Sequence, residues 1–337
     1  MESSSAGPNP GLIFQLALAY RSSAAFFTAS DLDIFTHIGD GALTAAELAQ
    51  RTTAATEPLR LVLETCGDLG LLIRDGDRFR NTPTTKTFLI KGGRAYLGDS
   101  LKYARDLYPA WGALGTMVKS GKPTMPPETI LGDDKAKTRA FVMAMHERAR
   151  GIGSVLPHNV SLAGRKRLID IGGGPGTYSV ELCRQTPGLT ATVLDRPGVL
   201  EVTRELVDAA GFADRVTLLP GDYLTTPFGT GYDCALLSGM MHRETADDVN
   251  LLLNKTSEAL APGGQVMVSD VFFDDDRKNT PPFTTSFALN MMLTSEHGSA
   301  HAKTEMTRWM AANGFRDITI IDMPKPNPHT LILGTRA

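Results

Sequence analysis

Cysteine is scarce in this sequence: Cys66, Cys183 and Cys234 are its three, far apart and odd in number. That excludes a disulfide framework and leaves no CxxC pair for a metal or redox motif, so no metal is expected. Reduced thiols in a cytoplasmic protein are the simplest reading. An excess of either charge is also missing, with 34 Lys+Arg against 37 Asp+Glu, and nothing advertises a polyanionic partner. Long apolar runs are absent too. Residues 1–11 are polar without a basic cluster, and the apolar stretch after them is interrupted at Gln15 and Arg21. Neither a signal peptide nor a membrane span is expected. Two nucleotide signatures are lacking as well: no GxxxxGK[ST] loop occurs, and the glycine run at Gly172 meets Thr177 where the nicotinamide fingerprint requires Gly or Ala. What remains is 337 residues, 42% hydrophobic, a globular composition with room for two domains.

Residues 1–110 read as a mainly helical domain. Leu12, Leu16, Ala19, Ala24, Phe27 and Leu32 recur at helical spacing. Thr44 stands three residues before Glu47, the spacing of a capping box, and Glu57-Pro58 opens a second helix. LLIRDGDRFRNT then reads as two strands turning at Asp75-Gly76. Helix, turn, helix and hairpin make a winged-helix pattern, which raises the possibility of DNA binding by a ligand-sensing regulator. The second helix would be the reader, yet it offers Glu57, Arg60 and Glu64, and residues 1–110 hold 11 Lys+Arg against 12 Asp+Glu. Nucleic acid is therefore not expected as a partner, whereas association through the apolar helices is.

Residues 111–160 form a helical bridge around the proline-rich SGKPTMPPETILG. From 161 to 337 the texture changes, with RLIDI, TATVLD, RVTLLPGD, YDCALLS and GGQVMVSD alternating with helical stretches. DITIID and TLILGT close the chain around MPKPNPH. Five strand-helix alternations and two closing strands predict an α/β fold, a Rossmann-like doubly wound sheet with a C-terminal antiparallel hairpin. FFDDDRK looks like three acidic ligands, but successive residues in a loop diverge, which favours a solvated turn.

In such a sheet ligands sit beyond the carboxyl ends of the strands. The first strand ends in Asp170-Ile-Gly172-Gly-Gly174-Pro-Gly176, where the glycines let a ligand approach the main chain. The helix that follows presents free N–H groups to an anionic end. Asp195 closes the second strand, placed to accept the hydroxyls of a ribose. At the third strand end Asp222 can accept from an exocyclic amine and Tyr223 offers a face to a purine. Acidic groups without a basic phosphate clamp favour a nucleoside lacking phosphates. His242, just past the fourth strand, is placed on the same rim, and imidazole is available as a base near neutral pH.

The motifs DIGGGPG, LDRP, GDYL, LLSGMMH, LAPGGQVMVSD and AANGF resemble those of class I S-adenosylmethionine-dependent methyltransferases. More narrowly, the chain is similar to small-molecule O-methyltransferases, the family of plant caffeate-type and bacterial natural-product tailoring enzymes with an N-terminal winged-helix dimerisation domain. The resemblance implies a homodimer that binds S-adenosyl-L-methionine through Asp170, Gly172, Gly174, Asp195, Asp222, Tyr223 and Ser238. It implies His242 as catalytic base toward a hydroxyl of a small aromatic metabolite, in a pocket that includes Met145, His146, Met241, Met291 and His301. No membrane or nucleic-acid partner goes with it. Two departures stand out. Arg243 and Glu244 follow the histidine where the family commonly has Asp, and the frequent ERT appears as Ala300-His301-Ala302, so Asp270 or Glu244 is the expected substitute for the carboxylate that orients the base. The same departures leave methylation at carbon, or a non-methylating reaction in this fold, as the alternative. His37, His158 and His329 are expected on the surface or in turns.

Overall fold

The computed structural model describes residues 8–125, 134–275, 281–325 and 327–337. The chain divides into two compact units, Met1–Arg105 and Asp106–Ala337.

In the first unit α1 (Gly11–Leu18), α2 (Tyr20–Asp31) and α3 (Ile34–Ile38) lead to β1 (Leu43–Thr44), α4 (Ala45–Thr52) and α5 (Thr56–Asp68). The capping box forms at α4: Thr44 Oγ1 accepts from the Glu47 N–H (3.2 Å) and Glu47 Oε2 accepts from the Thr44 N–H (2.7 Å). β2 (Leu72–Asp75) and β3 (Arg78–Asn81) turn at Gly76, whose φ of 63° a side chain resists, and β3 also pairs with β1. Ile34, Phe35, Leu48 and Leu63 fill the core. Arg60 on α5 is held by Glu57 and Glu64, each at 2.5 Å, so the helix presents no free basic stripe. α1 buries none of its residues, and Ile13 and Leu16 are 70% and 67% exposed. Gly11–Asp31 is, among the described residues, the segment long and apolar enough to cross a membrane. That holds by length and composition alone, and the segment is divided between α1 and α2.

α6 (Pro83–Phe88) and α7 (Gly98–Gly112) follow, and α7 carries the chain into the second unit. There α8 (Leu114–Ser120) and α9 (Lys135–Asn159) precede β4 (Arg167–Ile171), α10 (Thr177–Gln185), β5 (Thr190–Asp195), α11 (Pro197–Ala209), β6 (Val216–Pro220) and β7 (Tyr232–Ser238). A 3-10 turn, Met241–Arg243, leads to α12 (Ala246–Ala259), β8 (Leu260–Asp270), α13 (Pro282–Thr294), α14 (Lys303–Ala312), β9 (Phe315–Asp322) and β10 (Thr330–Arg336). The sheet order is β6-β5-β4-β7-β8-β10-β9, with β10 antiparallel to both its neighbours and the other pairings parallel. One expected alternation is missing. Between β6 and β7 the chain carries no helix, since Pro227, Gly229 and Gly231 crowd a short connection and both glycines adopt positive φ.

Successive residues of β4 enter opposite cores, Leu168 one and Ile169 the other, as a sheet covered on both faces requires. Strand order reverses at β4, so the loops after β4, β5, β6, β7 and β8 share one rim, and the start of antiparallel β10 joins them. Asp276–Lys278 of FFDDDRK and Pro126–Gly132 of the proline-rich segment lie outside the described residues. Asp274 pairs with Lys303 Nζ (2.8 Å), Asp275 accepts from Thr304 Oγ1 (2.6 Å), and among the described residues no cluster of His, Cys, Asp and Glu is arranged to hold a metal.

Candidate active site

The glycine loop after β4 is held by its own backbone and by the strand beside it. Gly172 and Gly173 donate to the Leu194 carbonyl (2.9 and 3.3 Å), and Gly174 donates to Asp195 Oδ2 (2.8 Å). Asp195 Oδ1 accepts from the Arg196 N–H (2.7 Å), so each carboxylate oxygen has one backbone partner and retains acceptor capacity. Burial pushes the Asp195 carboxyl up, against the two backbone hydrogen bonds that favour its anion. At Gly174 a side chain would meet nothing within 4 Å, whereas at Gly172 it would lie 3.4 Å from Met240 Cγ and 3.5 Å from Tyr223 Cδ1. These glycines thus keep open a space walled by the β6 and β7 loops.

Beneath it, Asp170 is wholly buried. Its Oδ2 accepts from Ser179 Oγ (2.7 Å), its Oδ1 has no partner, and burial raises its pKa to about 7 despite the serine bond, with Asp195 adding to the rise. The Ser238 hydroxyl, at the end of β7, is also buried without a hydrogen bond of good geometry. Orphaned buried acceptors are costly unless a ligand completes them. Asp222 Oδ1 accepts from the Leu224 N–H (2.9 Å) and leaves its other oxygen half-exposed, 3.8 Å from Arg196. Tyr223 donates its hydroxyl to Glu244 Oε1 (2.6 Å). An open glycine loop, two orphaned acidic or hydroxylic acceptors, a ribose-compatible carboxylate and an aromatic face together fit an adenosine carrying a cationic amino-acid tail.

His242 sits in the turn beyond β7. Its Nδ1 is 2.8 Å from Asp270 Oδ1 and its backbone N–H donates to Asp270 Oδ2 (3.2 Å). The histidine side chain is 10% exposed and the aspartate 2%. Burial alone would raise the Asp270 carboxyl, but the charge and hydrogen bond of His242 outweigh it and hold the group below its ordinary value. A carboxylate only accepts, so the neutral ring carries its proton on Nδ1 and presents a bare Nε2. Glu244, the other expected partner, is engaged with Tyr223 instead.

The remaining sequence candidates separate. His146 reaches Thr177 Oγ1 (2.8 Å) at the start of α10, beside the glycine loop, and burial followed by the Arg150 charge lowers its pKa. His301 Nε2 bonds the Met241 carbonyl (3.0 Å) while its ring meets Trp309 edge-on, supporting the His242 turn from behind. Met241, expected in the pocket wall, has no exposed surface and packs in the core, because the 3-10 turn folds it beneath His242. Met291 is buried on α13, and Met145 is half-buried on α9.

His329 lies in the connection between β9 and β10, half-buried: its Nδ1 lies 3.1 Å from Ser269 Oγ, and burial depresses its pKa to about 4 although Asp270 pulls the other way. Its Cε1 is 4.0 Å from where a side chain on Gly239 would stand, next to Ser238. Phe287 was missed. Its ring meets His242 edge-on at 4.9 Å and stacks with Phe283, an i,i+4 aromatic pair whose spacing on α13 was a usable signal.

Comparison with known proteins identifies both regions of the chain. Residues 111–316 match the O-methyltransferase domain family and residues 14–91 the O-methyltransferase dimerisation domain. The tetracenomycin polyketide synthesis 8-O-methyl transferase of Streptomyces glaucescens is 30% identical over 332 residues, 97% of each chain. The 3-hydroxy-5-methyl-1-naphthoate 3-O-methyltransferase of Streptomyces sahachiroi is 29% identical, covering 97% of this chain and 96% of the relative. Among solved structures, human N-acetylserotonin methyltransferase in complex with S-adenosylmethionine superposes with a TM-score of 0.88 at 25% identity over 100% of both chains. The chain belongs to the O-methyltransferase family: it is an S-adenosylmethionine-dependent O-methyltransferase with a dimerisation domain ahead of its catalytic domain.

Proposed function

We propose that this enzyme methylates a phenolic hydroxyl of a small aromatic metabolite, with His242 as the general base. The observation that carries the reading is the Asp270–His242 pair, which fixes the tautomer whose free Nε2 accepts a proton. When bound, S-adenosylmethionine supplies a methyl group on a sulfonium and keeps the electron pair of the broken carbon–sulfur bond. The chain's part is to hold the hydroxyl in line and take its proton. As the oxygen–methyl bond forms, the phenolic proton passes to His242 Nε2, and Asp270 stabilises the imidazolium. Phe287 and Phe283 supply an aromatic wall beside the base, suited to a flat acceptor. Asp170, Gly172, Gly174, Asp195, Asp222, Tyr223 and Ser238 would hold the cofactor. The relatives named for naphthoate and tetracenomycin support an aromatic acceptor. The dimerisation domain supports a homodimer closed over the exposed apolar face of α1, and three buried free thiols suit the reducing cytoplasm.

His242→Ala should leave affinity for S-adenosylhomocysteine intact while turnover on a simple phenol falls by about 10² or more. The deficit should shrink as pH approaches about 10, where solution itself supplies the phenolate. Asp270→Asn should also slow turnover, because an amide can donate to Nδ1 and invert the tautomer. Wild-type turnover by the His242 variant at neutral pH would remove this residue from the reaction.

A further inference from the structure

Three rim loops meet at one hydrogen bond whose role the reaction above does not use. Tyr223 belongs to the β6 loop, and its ring flanks Gly172 of the β4 loop together with Met240 of the β7 loop. Its hydroxyl donates to Glu244 Oε1 at 2.6 Å. Glu244 lies two residues past His242, and its backbone N–H donates to the Met241 carbonyl (3.2 Å), closing the turn that displays the base. The β6 loop is anchored from the other side as well. Lys255 on α12 donates to the Tyr223 and Leu224 carbonyls (2.5 and 2.9 Å) and lies 4.3 Å from the Phe228 ring centroid. One wall of the cofactor space is therefore fastened both to the helix after the histidine turn and to the turn itself.

A phenol donating to a carboxylate is a charge-assisted bond, shorter and stronger than a neutral one. It restrains the ring sideways without being needed for burial, since the apolar ring already packs against the β7-side core. Burial first, and then the Glu244 charge, keeps the phenol protonated, so it remains a donor across the working pH range.

We propose that the Tyr223–Glu244 hydrogen bond is a positioning link that couples occupancy of the cofactor pocket to the orientation of His242. Glu244 is then a positioning residue for the transfer. A ligand that steadies the Tyr223 ring steadies Glu244, and through the turn steadies the imidazole. Coupling of this kind is reciprocal for binding, so an ordered His242 turn favours the cofactor in return. The inference rests on the reading that Tyr223 walls the cofactor pocket.

A double-mutant cycle with a binding readout tests it. Tyr223→Phe and Glu244→Ala should each weaken S-adenosylhomocysteine binding by about threefold in calorimetry and lower turnover on a phenol about tenfold, while the double variant is no slower and binds no more weakly than either single one. Glu244→Gln, which still accepts from the phenol, should recover most of the turnover. With histidine labelled in its ring nitrogens, addition of S-adenosylhomocysteine should shift the His242 signals in the wild-type protein and leave them nearly unmoved in Tyr223→Phe. Full additivity of the two losses, or an unchanged ligand-induced His242 shift in Tyr223→Phe, overturns the link. Tyr223→Ala separates the two levels: if it binds S-adenosylhomocysteine as the wild type does, the placement of the cofactor falls, and the link with it. If it binds weakly while Tyr223→Phe turns over normally, the link alone falls.

Discussion

Asp170 and His329 titrate away from their ordinary ranges in opposite directions, for the same reason. Burial raises the acid from 3.8 to about 7 and lowers the imidazole from 6.5 to about 4. Between pH 3.8 and 7 the unfolded chain has released the Asp170 proton that the fold retains, so rising pH costs stability. Between 6.5 and 4 the unfolded chain takes up a proton at His329 that the fold refuses, so falling pH costs stability. Over pH 4 to 6.5 the two slopes oppose one another. His329→Asn should therefore tilt the melting temperature of the ligand-free protein downward with rising pH across that window, relative to wild type, and Asp170→Asn should tilt it upward. Parallel profiles for the His329 variant and wild type would show that this imidazole is not buried in its neutral form.

At the scale of elements, the glycine loop shows two different uses of the missing side chain. A Cβ on Gly173 would stand 2.7 Å from Asp170 Cγ and 2.9 Å from Val193 Cγ1, both in the core, so Gly173→Ala should cost about 1–3 kcal/mol by overpacking. Gly174 has φ 51° and open space around its Cβ, so Gly174→Ala should cost only about 1–2 kcal/mol of backbone strain. Its methyl group would enter the open space proposed for the cofactor, and S-adenosylhomocysteine affinity should fall by more than stability does. Denaturant melts and calorimetry on both variants separate the effects; wild-type affinity in Gly174→Ala would mean the loop is not the cradle. Such features were legible in the sequence because they are local, as were the Thr44–Glu47 cap and the turn at Gly76. The partners of the site residues were not. His242 and Asp270 are 28 residues apart and meet because β7 and β8 align in parallel, Ser238 opposite Ser269. Tyr223 and Glu244 belong to loops on two different strands. His329 joins the rim only because β10 runs antiparallel, with Thr330 opposite Asp270, an alignment that no local pattern encodes. Met241 is buried for a related reason, since the turn that displays His242 decides which neighbour is tucked under.

At the scale of the whole molecule the feature that matters is α1, an apolar helix left uncovered among the described residues. α1 has no buried residue, which makes it a clean place to probe association without touching the core. Sedimentation at micromolar concentration should give twice the chain mass, and Ile13→Glu with Leu16→Glu should return it to the single-chain mass with the circular dichroism spectrum unchanged. A persistent double mass in that variant would place the interface elsewhere. A different consequence follows from the place of β10, which is interior to the sheet, between β8 and β9, yet comes after the other six strands in the chain. As the polypeptide leaves the ribosome, β8 and the rim loops emerge with one hydrogen-bonding edge still open, a template on which any extended segment can add. His329 travels with the strand that closes that edge. The β8 edge can therefore be sealed only once residues 330–336 have been made, after every other strand of the sheet.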